Sequence, residues 1–140
     1  MWIEHVHEQL SVAGMKRGGA RDRIIEVMAE QSCALSAIEI EDALRANGTP
    51  IARASVYRIL ELLVDYGLVE RVDVGEGQAR FEPVHPNGDH HHHLICDQCG
   101  RLVAFDDVAL EVAIARLQDR LGVRVESHEI LLRGDCGTCG

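Results

Sequence analysis

No run of 18 or more apolar residues interrupts this 140-residue sequence, and no basic segment followed by an apolar core opens it. A membrane span and a secretory signal are therefore not expected, and the cytoplasm is the expected compartment. The chain also lacks a surplus of positive charge: Lys and Arg number 14 against 23 Asp and Glu, a formal net charge of -9 at pH 7. That balance counts against duplex nucleic acid as a partner, because duplex binding rests on a basic footprint. Position softens the objection, since Lys16, Arg17, Arg21, Arg23, Arg45, Arg53 and Arg58 all fall in the first half and could form a local basic stripe. There are no internal repeats, no low-complexity tract beyond four consecutive histidines, and no catalytic signature such as His-Glu-x-x-His. A hydrolytic metalloenzyme would need an open coordination position and a general base, and the sequence identifies neither.

What the chain does have is cysteine in pairs. A length of 140 residues suits one ordinary domain or two small ones, and small domains bury too little surface to be robust without a staple. Four of the five cysteines form two Cys-x-x-Cys pairs, Cys96/Cys99 and Cys136/Cys139, while Cys33 stands alone and reads as a small buried hydrophobe. Where thiols stay reduced, such pairs read as metal ligands before they read as disulfides. Two pairs can set four thiolates tetrahedrally around one zinc ion, a closed structural coordination. The intervening 36 residues exceed a compact zinc ribbon, so the segment between them must fold to bring its ends together.

Apolar periodicity predicts helices over residues 3–13, 21–29, 36–46 and 53–66. Ser36 and Glu39 form a capping box that starts the third, and Asn47-Gly48-Thr49-Pro50 ends it. In the fourth, Val56, Ile59, Leu60 and Leu63 face a core, leaving a polar, basic and aromatic N-terminal half outside, and Gly67 is its expected C-cap. Strand character follows over residues 68–74 and 79–81, joined by a turn at Gly75-Glu76-Gly77. The order fits a winged helix-turn-helix and equally a generic small helical domain with a hairpin. Residues 83–89, with Pro86, Asn87 and Gly88, read as a hinge. Beyond it come strands over 90–95 and 102–105, a helix over 107–121 with Leu110, Ile114, Leu117 and Leu121 on one face, and a strand over 123–132.

The tetrad His90-His91-His92-His93 is internal and precedes the first cysteine pair. In an extended segment neighbouring side chains point to opposite faces, so His90 and His92 go one way while His91 and His93 go the other. One tetrad can thus feed two sites, the strongest sign of metal sensing in the residues themselves. Imidazoles suit iron, zinc and nickel, and carboxylates are their natural companions for iron or manganese.

The stretch 54–60 (ASVYRIL), then Gly67-Leu68-Val69, then the string from His90 to Gly100, and the closing Cys136-Gly137-Thr138-Cys139, resembles the ferric uptake regulator (Fur) family over residues 16–139. The resemblance implies an α+β protein: an N-terminal winged helix-turn-helix in 1–82, a hinge in 83–89, and a small C-terminal α/β dimerisation domain in 90–140 with a four-cysteine zinc site. It implies a cytoplasmic homodimeric repressor of metal-homeostasis genes that binds a palindromic operator when divalent metal is present. Cys96, Cys99, Cys136 and Cys139 would hold structural Zn2+, and His90, His92, Glu111 and His128 a site within the dimerisation domain. The regulatory hinge site, for Fe2+ or Zn2+ with Mn2+ as a further candidate, would draw on Glu70, Glu82, His85, His91 and His93. Operator contacts would come from Lys16, Arg17, Arg53, Ser55, Tyr57 and Arg58.

The sequence departs from the family pattern in places. Ala34 and Ala104 stand where an iron sensor has a histidine and a carboxylate, and Val84 stands where a zinc sensor has a cysteine, with His85 beside it as a substitute. Gly18-Gly19-Ala20-Arg21 replaces the usual residues before the second helix. A peroxide sensor is disfavoured because Glu82 occupies that class's aspartate position. A metal buffer would explain the ligands but leave the winged helix without a purpose.

Overall fold

The structure is a computed structural model that describes residues 1–30, 34–75, 77–86 and 91–139. Two compact units divide at residues 89 and 90. Among the described residues no helix is long and apolar enough to cross a membrane.

The first unit runs α1 (Trp2–Val12), α2 (Gly19–Ala29), α3 (Ala37–Ala46), α4 (Arg53–Asp65), β1 (Val69–Gly75) and β2 (Gln78–Pro83). Each helix contributes an apolar stripe to one core: Val6 and Leu10 from α1, Ile24, Ile25 and Met28 from α2, Ile40 and Leu44 from α3, and Val56, Leu60 and Leu63 from α4. Each of these side chains contributes about 1.5–3 kcal/mol by leaving water. Trp2 packs at the same core and donates its indole N–H to the Leu68 carbonyl at 2.9 Å, tying the first helix to the strand entry. The capping box is formed as the sequence predicts, with the Glu39 amide donating to Ser36 Oγ and the Ser36 amide to the Glu39 carboxylate, each at 3.1 Å. Gly67 takes φ +70° past the end of α4, so that the Leu68 amide can reach back to the Leu63 carbonyl at 2.9 Å. β1 and β2 form an antiparallel wing, and a bridge between Leu35 and Phe81 fastens it to the segment before α3. The order of three packed helices, α4 and a two-stranded wing resolves the two sequence readings in favour of the winged helix-turn-helix.

The second unit holds β3 (His92–Cys96), β4 (Leu102–Phe105), α5 (Val108–Leu121) and β5 (Leu131–Gly134). Its sheet has the order β4-β3-β5, with β3 antiparallel to β4 and parallel to β5. Asp107 caps α5 by accepting from the Leu110 amide at 3.1 Å, and Gly122 ends it at φ +67°. None of the residues of α5 is buried: Val108, Val112, Leu117 and Leu121 are all exposed.

The last strand is far shorter than the sequence pattern predicts. Only 131–134 pair with β3, whereas 123–130 join no ladder and expose Val123 and Val125. Alternating apolar residues make strand character, but a strand needs a partner, and among the described residues none pairs in a ladder with 123–130.

Candidate metal centres and nucleic-acid face

The parallel pairing of β3 with β5 sets Cys96 opposite Gly134, so each strand delivers a Cys-x-x-Cys turn to the same end of the sheet. Hydrogen bonds lock the turns together: the Asp97 amide to the Gly134 carbonyl at 2.8 Å, Gln98 to Asp135 at 3.4 Å, and Arg101 to Thr138 at 3.4 Å. Cys96 Sγ lies 3.5 Å from Cys139 Sγ, and Cys99 Sγ 3.8 Å from Cys136 Sγ. A disulfide would need about 2.05 Å. Four sulfurs at about 2.3 Å from a tetrahedral zinc stand about 3.8 Å apart, so the spacing fits zinc.

The charge pattern points the same way. The Thr138 hydroxyl, 3.3 Å from Cys136 Sγ, draws that thiol down to about 6, and the Cys99 amide lowers Cys96. The neighbouring Cys96 sulfur, with Cys136 behind it, pushes Cys139 up to about 12. Crowded sulfurs cannot all ionise on their own, and a divalent cation is the charge that would let them. Cys33 lies outside the described residues.

On β3 the predicted alternation of the histidines is visible. His92 is buried and points toward α5 and the segment before β5, where the two oxygens of Glu111 each receive one imidazole. His92 Nε2 lies 2.7 Å from Oε1 and His128 Nε2 2.7 Å from Oε2. The rings of His92 and His128 stand 5.1 Å apart, and Phe105 packs against His92. Two imidazoles and a carboxylate form a donor set suited to a divalent first-row metal. At metal–ligand bonds of about 2.1 Å the N···O separations would open to about 3.0 Å in octahedral and about 3.4 Å in tetrahedral coordination. His90, the fourth expected ligand, lies outside the described residues.

His91 and His93 turn away from that cluster and meet edge to face, with ring centroids 4.9 Å apart. His93 is buried and His91 half-buried. Ala104 stands across the β3–β4 ladder from His93, so β4 offers no carboxylate there.

In the first unit Glu82 is buried on β2, opposite exposed Glu70 on β1. His85 is exposed beyond β2 and borders an apolar hollow of about 370 Å³ with Trp2, Ala29, Pro83 and Pro86. Ala34 is buried, consistent with an apolar contact where a sensor histidine is absent.

The candidate nucleic-acid face is the N-terminal half of α4. Val56, Leu60 and Leu63 are buried while Tyr57 is 43% exposed beside exposed Arg58. Arg58 donates to Ser55 Oγ at 3.0 Å, and Arg53 donates through Nε to Glu41 on α3 at 2.9 Å. Before α2, Lys16 and Arg17 are exposed, and Arg17 sits 3.5 Å from Asp22. Sequence reasoning missed the acidic partners Asp22 and Glu41. Arg53 and Glu41 are 12 residues apart on different helices, and no local pattern signals that pairing.

The profile of the ferric uptake regulator family matches residues 12–133. The ferric uptake regulation protein of Bordetella parapertussis is 34% identical over 132 residues, which cover 94% of each chain. The crystal structure of the Vibrio cholerae ferric uptake regulator, described by a rearrangement of its DNA-binding domains, superposes with a TM-score of 0.81 at 32% identity, covering 92% of this chain and 98% of that one. A ferric uptake regulator of Pseudomonas aeruginosa, solved with manganese, gives a TM-score of 0.72 at 25% identity, with 92% and 96% covered.

Proposed function

The chain belongs to the ferric uptake regulator family of metal-responsive transcriptional regulators, and from that premise we propose that it is a homodimeric repressor that binds a palindromic operator when divalent metal fills its regulatory site. Members of this family are regulators rather than enzymes. The observation that carries the proposal is the convergence of His92 and His128 on Glu111 in a chain whose first unit is a winged helix.

The residue assignments are those the family resemblance implies, and the donor chemistry of each group supports them. Cys96, Cys99, Cys136 and Cys139 hold a structural zinc, and no position is left for substrate. His92, Glu111 and His128, with His90, bind a second divalent ion. The regulatory site takes Glu82, His91 and His93, with Glu70 and His85 as further donors, for Fe2+ or Zn2+, with Mn2+ as a further candidate. These ligands come from segments 1–82 and 90–140 and, through His85, from the connecting 83–89. A bound cation would supply a crosslink between ligand-bearing segments, and it favours the DNA-competent arrangement only as far as that arrangement binds it more tightly.

For the duplex, Arg58 can donate in a bidentate manner to guanine and Tyr57 can pack on a thymine methyl, while Lys16, Arg17, Arg53 and Ser55 serve phosphates. Two-fold symmetry sets the half-sites about one helical turn apart. The exposed apolar face of α5, with Val123, Val125 and Leu132, supports the dimer: a monomer would leave it in water. Reduced thiols and a DNA target both fit the cytoplasm.

The test is a gel shift with a duplex pool, using protein that keeps its four-cysteine zinc, with and without added Fe2+, Mn2+ or Zn2+. Binding that appears only with metal supports the proposal. Equal binding after the regulatory ion is stripped sinks it. Metal uptake with no duplex bound under any condition would leave a metal buffer as the better reading.

A further inference from the structure

Arg53 opens α4, and Tyr57 follows one turn later on the same face. Its Nε–H donates to Glu41 Oε2 at 2.9 Å, and Glu41's other oxygen lies 3.5 Å from Arg45 Nη2. The Glu41 side chain is only 15% exposed, whereas that of Arg53 is 59% exposed. A guanidinium is a planar fork with five N–H groups, and the pairing engages one edge of it. Among the described residues Glu41 is the only hydrogen-bond partner of the Arg53 side chain, and it engages Nε, so the Nη groups remain available to a partner outside the chain. A single ion pair with one partner largely in solvent contributes little to folding, so stability is a poor reason for this geometry. Order is a better one: an arginine already held by a carboxylate has less side-chain freedom to lose when it meets a phosphate.

We propose that Glu41 is a positioning residue for DNA recognition, clamping the Nε edge of Arg53 so that its Nη groups meet a backbone phosphate one turn before Tyr57. This rests on the DNA-binding reading above. It also makes a prediction of sign. Plain electrostatics says that an acid near the duplex weakens binding and that its removal helps, whereas a positioning role says that its removal hurts.

The experiment uses the full-length, metal-loaded protein and a labelled duplex selected by the wild type from a random pool, read by fluorescence anisotropy across a salt series. Glu41→Gln is expected to weaken binding by about two- to twelvefold, the range set by the ordering cost of one long side chain. Arg53→Gln should weaken it at least as much and lower the slope of log affinity against log salt by about 0.9 for each phosphate that Arg53 neutralises. The double variant should bind no more weakly than Arg53→Gln alone. Arg53→Lys keeps the charge but not the fork, and should also lose affinity. A merely structural role for Glu41 would leave the salt slope unchanged. If Glu41→Gln lowers the unfolding midpoint of the first unit, read by Trp2 fluorescence, Arg53→Lys decides: wild-type affinity in that variant overturns the proposal. Equal or tighter binding by a folded Glu41→Gln also overturns it. Wild-type protein that selects no duplex with any metal would instead overturn the DNA-binding reading, and this inference with it.

Discussion

Removing the structural zinc, by chelation or by Cys96→Ser, is expected to unfold the second unit while leaving the first intact. The structure sets the magnitude. Among the described residues of the second unit the buried apolar side chains are Ile95, Cys96 and Leu102. Burying Ile95 and Leu102 stabilises by about 3–6 kcal/mol in all. Helix α5 adds little, because none of its residues is buried. That is a small core for a unit of this size, and units of this kind depend on a staple. A structural zinc bound by cysteines carries an apparent free energy of about 10–16 kcal/mol, and in a small unit this is also folding free energy. The first unit has a core of its own, with side chains from four helices and the wing.

The two units can be watched separately. The single tryptophan and both tyrosines lie in the first, so Trp2 fluorescence and near-ultraviolet circular dichroism report that unit, while hydrogen exchange of 91–139 reports the other. Zinc loss should abolish protection across β3, β4, α5 and β5 without shifting the Trp2 signal. Persistent protection of these amides after full zinc removal would refute the reasoning, and so would simultaneous loss of the Trp2 signal.

Glu111→Gln should lower the bound metal by one equivalent per protomer, measured by mass spectrometry under non-denaturing conditions, with the four-cysteine zinc retained; an unchanged count would show that the carboxylate bridging His92 and His128 is no ligand. The Thr138 hydroxyl depresses the Cys136 pKa to about 6, so the thiolate's contribution is fully present above the ordinary thiol pKa and is lost as pH falls through about 6. Thr138→Val should therefore move acid release of zinc to higher pH by up to about one unit, followed with a chromogenic chelator; an unmoved midpoint would deny the hydroxyl this role. Leu117→Asp, on the exposed face of α5, should yield monomers in sedimentation and weaken operator binding while sparing the first unit, and a variant that stays dimeric would move the interface elsewhere. Arg58→Ala should lose about 1–3 kcal/mol of discrimination between the selected duplex and a scrambled one, if the side chain reads a base edge.

How much of this was legible in the sequence depended on whether the signal was local. The capping box at Ser36 and Glu39, the glycine stop at Gly67 and the alternation of His91 to His93 are decided within a few residues, and they stand as the pattern predicted. The four sulfurs were legible for a different reason, since two Cys-x-x-Cys pairs have few other uses; what the sequence could not supply was the β3–β5 pairing that brings them together. Residues 123–130 show the limit of periodicity. Their alternation is real, but the strand it predicts has no ladder among the described residues, because pairing partners are a tertiary property. Glu111 by itself looks like any solvated helix residue, and only the family resemblance marked it before His92 and His128 were seen to meet on it.

The acidity of the chain is where position in sequence misled and position in space corrects. Nine of the fourteen Lys and Arg lie in residues 1–89, but so do fifteen of the twenty-three Asp and Glu, so the unit that should meet DNA is itself net acidic. A basic half does not exist. The structure instead disperses the charge into short pairs, Arg17 with Asp22, Arg45 with Asp42, Arg53 with Glu41, Arg71 with Asp73 and Arg80 with Glu39. Each acid so engaged repels a phosphate less than a free one would, and the guanidinium beside it is still able to donate to that phosphate. The cost is a weak long-range field, because a paired surface releases few counterions and steers a duplex poorly. Affinity for arbitrary DNA should then be low, and under the proposed function discrimination would come from close-range contacts by Tyr57 and Arg58 and from two half-sites engaged at once. For a repressor switched by metal that is a coherent arrangement: a strongly basic unit would hold DNA whether or not the ion were bound, whereas a nearly neutral face leaves the decision to the geometry of the dimer.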